Sequence, residues 1–310
     1  MYTLPDQSGG REIYVMNDDG SNQTAVITYD THGLYVHGSL AWSADNSRFL
    51  FLGRPVVSGQ PLDLYVADAD GSNATKVIDN EFVDGGIEPL EGIQGFDWSP
   101  APLPGQSADD EWILLSAHVT GDLGSDLYAV RLDGTGLVRL TDTPDLTESS
   151  PAVTPDGKYV LFGRDNATLN QDYLGRVFKG TLGTDSGTGL PAITAEECIT
   201  DFAGGPLEDK NCGLVSLDPT GTYALVSQGY YLRNRWLVPL ADPTEAWRTS
   251  LVDIGGPWLD PATVVYAFES SSRKWFVAEA DVFTGEETII ASFGKTQPGN
   301  PTPRRWNSGS

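Results

Sequence analysis

Carboxylates and imidazoles crowd the segments that separate the apolar runs of this chain. "YDTHGLYVHGS" carries His32 and His37, "NEFVDGGIEPLEGIQG" carries Asp84, Glu88 and Glu91, "DTPDLTESS" carries Asp145 and Glu148, and "ECITDFAGGPLEDKNC" carries Asp201, Glu208 and Asp209. Grouped carboxylate oxygens suit a hard cation such as Ca2+, and imidazoles suit a transition metal. The expected metal ligands are Glu88, Glu91, Asp145 and Glu148, with Ca2+ as the candidate ion. Neither set has the spacing of a known ligand signature, so solvated loop side chains remain the plain alternative.

Basic and aromatic groups occupy a second set of loops: Arg54 in "GRPVVSGQ", Arg164 in "GRDNATLNQDYLG", and Tyr230, Tyr231 and Arg233 in "QGYYLRNRW". Arginine and tyrosine are frequent anchors of protein interfaces, and aromatic faces stack on sugars. With His32 and His37 they form the candidate ligand-binding set. The competing expectation is that the tyrosines pack inside the fold and the arginines pair with local acids.

No catalytic residue is assigned. The chain has no G-x-S-x-G elbow, no H-E-x-x-H, no phosphate-binding loop and no paired C-x-x-C, and it has three histidines in all. A polysaccharide lyase or glycosidase is the alternative function. A glycosidase would use two loop carboxylates about 5 to 10 Å apart, one held protonated. A lyase would use His37 as base with Arg54 or Arg164 neutralising the substrate's charge.

The elements that must position these groups announce themselves by repetition. "EIYVMNDDG", "DLYVADADG" and "DLYAVRLDG" share an aromatic strand and an Asp-Gly turn, and "RVFKGTLG", "RWLVPLAD" and "WFVAEADVFTG" repeat it more weakly. A second landmark alternates with the first: "LAWSADNSRFLFLG", "FDWSP" running on to "EWILLSAH", "AVTPDGKYVLFGR", "LVSLDPTGTYALVSQ", "PWLDPATVVYAFES" and the terminal "RRWNSGS". Each landmark occurs six times, so each repeat reads as four short strands, A to D, joined by tight turns. Gly supplies the positive φ that such turns need and Asp hydrogen-bonds the backbone ahead of it, which explains "NDDG" and "DADG" without calcium. A period of this length signals a propeller or a solenoid.

These repeats resemble the TolB-like, or WD40-like PD40, β-propeller repeats of bacteria. The resemblance is carried by "IYVMNDDGSNQTAVIT" with "AWSADNSRFLFL" and by "AVTPDGKYVLFG". It implies an all-β, six-bladed β-propeller of four-stranded antiparallel blades. A strand around Trp306 would pair with the N-terminal "MYTL" and close the ring within one blade, removing the exposed sheet edges. The expected organisation is a single domain over 1–310. The B-C and D-A loops, at the channel mouth, form the expected functional face, and the A-B insertion "APLPGQSADDE" at 101–111 is the exception on the other side.

Acidic residues outnumber basic ones 43 to 19, a formal charge of −24. That field repels phosphate backbones and anionic headgroups, so nucleic acid is excluded as a partner and a basic or cationic one is favoured. No run of about 18 apolar residues exists to insert in a membrane. Met1 is followed by "YTLPDQSGG", with no basic start and no apolar run, so the chain reads as a mature form or an excised domain. Cys198 and Cys212 flank a Gly-rich loop and are expected to form a disulfide, which leans toward an oxidising compartment. The resulting expectation is a periplasmic or extracellular binding module, a monomer or a domain of a larger surface protein. It would recognise a protein or glycan without catalysis.

Overall fold

The computed structural model describes residues 1–5, 10–55, 62–78, 90–119, 122–166, 175–229, 234–252, 256–298 and 301–302. Two compact units contain them, Met1–Asp79 with Ile254–Ser310, and Asn80–Asp253.

In the first unit, β1 (Tyr2–Pro5), β2 (Arg11–Val15) and β3 (Thr24–Ile27) make one antiparallel sheet. A short helix, α1 (Tyr29–His32), leads to a second sheet of β4 (Leu34–Trp42), β5 (Arg48–Pro55), β6 (Asp63–Asp68) and β7 (Thr75–Ile78). The second unit holds three sheets. They are β8 (Leu90–Trp98), β9 (Trp112–Val119), β10 (Ser125–Arg131) and β11 (Val138–Arg139); β12 (Leu146–Val153), β13 (Tyr159–Asn166), β14 (Arg176–Thr184) and β15 (Pro191–Cys198); and β16 (Cys212–Leu217), β17 (Tyr223–Gln228), β18 (Asn234–Pro239) and β19 (Trp247–Val252). The chain then returns to the first unit with β20 (Thr263–Glu269), β21 (Trp275–Asp281) and β22 (Glu287–Gly294). Numbered in chain order, these are the six blades of a six-bladed β-propeller, each an antiparallel meander.

Blades 1 and 6 have three named strands, and a short segment stands in the first position of each. In blade 6 Trp258 bridges Val264. In blade 1 the C-terminal segment takes that place: Met1 N donates to Thr302 O (2.9 Å), and Thr302 N donates back to Met1 O (2.6 Å). The predicted pairing of the two chain ends in one sheet is therefore present at Met1 and Thr302, whereas Trp306 lies outside the described residues.

The repeated Asp-Gly text folds as expected. Asn17, Asp68 and Arg131 each accept, through their carbonyls, from the amide of Gly20, Gly71 and Gly134, at 2.8 to 2.9 Å. Those glycines have φ of 78°, 86° and 82°, the left-handed residue that follows a type I turn in a hairpin. Asp19, Asp70 and Asp133 accept from the amide two residues on, at 2.9 Å in each case. Burial is continuous rather than alternating, as expected of sheets packed on both faces: β10 is buried along nearly its whole length, as are the middles of β5, β9 and β13. In the second unit the blades meet through apolar clusters, Leu114, Leu127, Val160 and Phe162 between blades 3 and 4, and Leu161, Val177, Leu214 and Val226 between blades 4 and 5. Burial at about 25 cal/mol per Å2 of apolar surface is what holds such sheets face to face.

The expected disulfide is not formed. Cys198, half-buried at the end of β15, and Cys212, buried at the start of β16, are free thiols. Burial pushes the Cys212 thiol up to about 12, with the neighbouring Cys198 adding to the rise, so the thiolate needed for disulfide chemistry is suppressed. The loop between them is closed by other means: Arg176 Nε lies 2.7 Å from Asp201 Oδ2, and Asp201 Oδ1 accepts from Asp209 N at 3.0 Å. The inference of an oxidising compartment loses the support that a bond would have given it.

Candidate functional site

The strongest concentration of buried charge among the described residues lies in the second unit, where the loops of blade 3 meet the start of blade 4. It begins with Asp126, 2% exposed, at the head of β10. Its carboxylate accepts from Thr141 Oγ1 (3.0 Å) and from Thr143 N (3.0 Å), so it ties down the segment that leads from β11 to β12. Arg139, on β11, closes the other side. Its Nη2 contacts Asp126, lies 2.6 Å from Asp122 and 3.2 Å from Asp142. Three carboxylates on one guanidinium nitrogen hold it firmly charged: burial alone would lower the Arg139 pKa, but Asp126 outweighs it and the pKa rises.

Thr143 links this group to a second one. Its hydroxyl lies 2.8 Å from both oxygens of Glu148 and 3.2 Å from Asp126 Oδ1. A hydroxyl has one proton to give, so two ionised carboxylates cannot both receive it. The contacts to Glu148 are the shorter, so the hydroxyl donates there, and Arg164 is the second partner of that carboxylate. Burial pushes the Glu148 pKa up, against the pull of Thr143 and Arg164. Glu148 is wholly buried, and its cross-strand neighbour on β13 is Arg164. Arg164 Nε meets Glu148 at 2.6 Å, while Nη1 meets Glu196 at 2.8 Å. The guanidinium also lies 4.6 Å from the Phe178 ring centroid. Burial pulls its pKa down, but Glu196 and Glu148 outweigh that and raise it, so Arg164 stays charged.

Above this base sits an ordered, acidic loop. Leu123 N and Gly124 N both donate to Pro144 O, at 2.9 and 3.2 Å, and Leu146 N donates to Thr143 O at 2.9 Å. The two loops touch so closely at Gly124 that an added Cβ would lie 1.6 Å from Leu146 O. Outward from this lacing point the side chains of Leu123 (59% exposed), Asp142 (81% exposed) and Asp145 (exposed).

The sequence-derived candidates divide as follows. Glu148 and Arg164 are brought together, facing each other, and both oxygens of Glu148 are engaged, by Thr143 and Arg164. Asp145 is on the surface loop just described. Among the described residues no group of three or more His, Cys, Asp and Glu side chains is arranged to hold a metal ion. Glu88, Tyr230, Tyr231 and Arg233 lie outside the described residues, and Glu91 is placed only by its backbone in β8. In the first unit, His32 closes α1. Its Nε2 lies 3.0 Å from Gly71 O, a pure acceptor, so Nε2 carries the proton and Nδ1 accepts, from Thr28 N at 3.4 Å and Thr31 Oγ1 at 2.7 Å. Nε2 thus fastens the loop to the β6–β7 turn, while Nδ1 ties the ring to its own segment. His37 and Arg54 are exposed on one face of blade 2: Arg54 pairs in register with Tyr35, two residues from His37 on the same strand.

The residues that sequence reasoning missed are Asp122, Asp126, Arg139, Thr141 and Thr143. A signal for Asp126 was present, since "DLY" recurs at 63 and 126, a charged residue opening an otherwise apolar strand; Asp63 is likewise buried and pairs with Lys76 at 2.8 Å.

No family model matches the chain, and no curated protein matches it in sequence. Solved structures do resemble it. TolB from Acinetobacter baumannii is 14% identical with a TM-score of 0.63, over 96% of this chain and 65% of that one. A putative TolB from Agrobacterium tumefaciens is 15% identical with a TM-score of 0.59, over 92% and 90%. A chain of the nidogen/laminin complex is 12% identical with a TM-score of 0.57, over 96% and 95%. The chain therefore spans 65% of the length of the first and 90% of the second. At such identities the likeness is one of fold, and the fold is the six-bladed β-propeller of the TolB-like proteins.

Proposed function

We propose that the chain is a non-catalytic binding module that recognises a basic protein segment. The proposed contact surface is the acidic loop of Leu123, Asp142 and Asp145. The observation that carries this reading is the clamp beneath the loop. Asp126, Arg139, Thr143 and Glu148 fix its backbone from below, so the outward side chains are held in place before any ligand arrives. Preorganisation of this kind lowers the entropic cost of binding. An exposed leucine on a loop laced to a segment with two exposed carboxylates suits a partner that combines aliphatic and cationic side chains, and the charge of −24 speeds the encounter with it. A protein partner also accords with the nidogen/laminin structure, which is a complex of two proteins. The placement outside the cytoplasm implied by the TolB-like resemblance belongs with the same reading.

The test uses a short synthetic peptide of alternating lysine and leucine as probe, with Thr143→Val as the perturbation. This variant keeps every charge and removes only the hydroxyl of the clamp. Binding should weaken by about tenfold, the equivalent of one lost hydrogen bond to a charged group at about 1.5 kcal/mol. Unchanged affinity in Thr143→Val would contradict a role for the clamp.

A further inference from the structure

Blades 3, 4 and 5 repeat the same edge, and the groove between the first pair is filled while the next is open. Between blades 3 and 4 the filling comes from this chain's own insertion at 101–111. Leu103 is 1% exposed in one cluster with Trp112, Val153, Val160 and Leu182. Two hydrogen bonds seat the insertion: Thr184 Oγ1 donates to Pro104 O (2.7 Å) and Gln106 Nε2 to Gly189 O (3.0 Å).

Between blades 4 and 5 the same positions recur, bordered by the Thr154–Asp156 turn and, among the described residues, with no insertion over them. Backbone bonds fix the correspondence, since Leu182 N donates to Lys158 O (2.8 Å) and Leu240 N to Thr222 O (2.9 Å). Leu240 therefore stands where Leu182 stands one blade earlier. Tyr159 opens β13 as Trp112 opens β9, and Lys179 lies 5.0 Å from the Tyr159 ring centroid as Arg131 lies 4.6 Å from that of Trp112. Leu182 and Trp112 are 4% and 1% exposed under the insertion. Tyr159 and Leu240 are only half-buried, and they line a cleft of about 330 Å3 with Thr220 and Ala241. That volume is at the small end of ligand sites, which start at about 300 Å3, so it admits one or two side chains and not a folded element.

We propose that this cleft binds a short segment of another protein that presents an aliphatic side chain in a proline-rich turn, as residues 101–106 do in the preceding groove. The aliphatic group would cover Leu240 and the Tyr159 ring, and the Thr220 hydroxyl, whose proton goes to Asp218, would accept from a backbone N–H of the segment. Lys179 already pairs with Glu197 of the edge strand β15, so the segment needs no charge of its own. An uncharged ligand also escapes repulsion by the acidic surface. This second site is independent of the acidic loop on blade 3.

The test is a titration of methyl-labelled protein with the capped peptide Ala-Pro-Leu-Pro-Gly-Gln, the sequence of residues 101–106. The methyl resonances of Leu240 and Ala241 should shift and saturate at or below about 1 mM peptide, corresponding to at least about 4 kcal/mol of binding. The same peptide with alanine in place of leucine should produce no saturable shift, and Ala241→Trp, which fills the cleft, should abolish the response. Leu240→Gln is the second variant and should abolish it as well if Ala241→Trp does not fold. The proposal is overturned by the absence of a saturable shift at Leu240, by an equal response to the alanine peptide, by an equal response in a folded cleft variant, or by shifts confined to Leu182.

Discussion

Removing the Arg164 guanidinium should destabilise the protein in a way that depends on pH, and the size of the effect can be worked out from what it leaves behind. In Arg164→Met the apolar contact with Phe178 is kept, while Glu148, wholly buried, loses its ion pair and retains only the Thr143 hydroxyl. An uncompensated buried charge costs about 3–5 kcal/mol. The protein can avoid part of that by holding Glu148 protonated, at about 1.4 kcal/mol for each pH unit above the ordinary glutamate pKa of about 4.3. The cost is therefore capped near 3.7 kcal/mol at pH 7 and near 1 kcal/mol at pH 5, both as approximate ceilings. The sign follows from the raised pKa of Glu148. Its favourable contribution is present below the unfolded pKa and is lost as pH rises through the folded value, and Arg164→Met moves that folded value higher still. Urea unfolding followed by tryptophan fluorescence at pH 5 and pH 7 measures both numbers, provided the m-values agree. Glu148→Gln in the Arg164→Met background should recover most of the loss at pH 7. A cost under about 1 kcal/mol at pH 7, or one that does not shrink at pH 5, would refute the reasoning.

Three further outcomes are expected. Leu103→Ala should cost about 2–3 kcal/mol in urea unfolding, the low end for a buried leucine because the insertion can settle inward. Gly124→Ala should destabilise by about 1–3 kcal/mol, since its Cβ meets Leu146 O and the two loops must part. Reductant should leave the melting temperature unchanged, and a thiol reagent at neutral pH should modify Cys212 only on unfolding, because its thiol is buried and its pKa is pushed up to about 12.

The repeats made the blades legible because turn chemistry is local: an Asp-Gly hairpin states its own geometry in four residues. The pairing of Met1 with Thr302 was legible for the same reason, one landmark lacking its partner at each end of the chain. The site was legible only as a neighbourhood. Glu148 and Arg164 were both singled out, each as if aimed at a ligand, and what joins them is cross-strand register. That register passes through an irregularity between Ser149 and Ala152, where Ser150 has φ 54°, and nothing in the local sequence announces it. Asp126 was hidden for a different reason: its strand neighbours mark a blade so clearly that the charge at its head drew no notice. The Cys198 and Cys212 spacing suggested a loop to be closed, but the closure uses Arg176 and Asp201, which are distant from each other in sequence.

The central claim, a preformed acidic surface on blade 3 that takes a basic segment, is tested most directly by matched neutralisations. Asp142→Asn with Asp145→Asn removes two charges from the proposed surface, and Asp18→Asn with Asp30→Asn removes two from exposed positions in the first unit. Affinity for the lysine-leucine probe should fall by about tenfold or more in the first pair and by less than about twofold in the second. Equal losses in the two pairs would mean that the probe senses only the net charge, and would contradict the site.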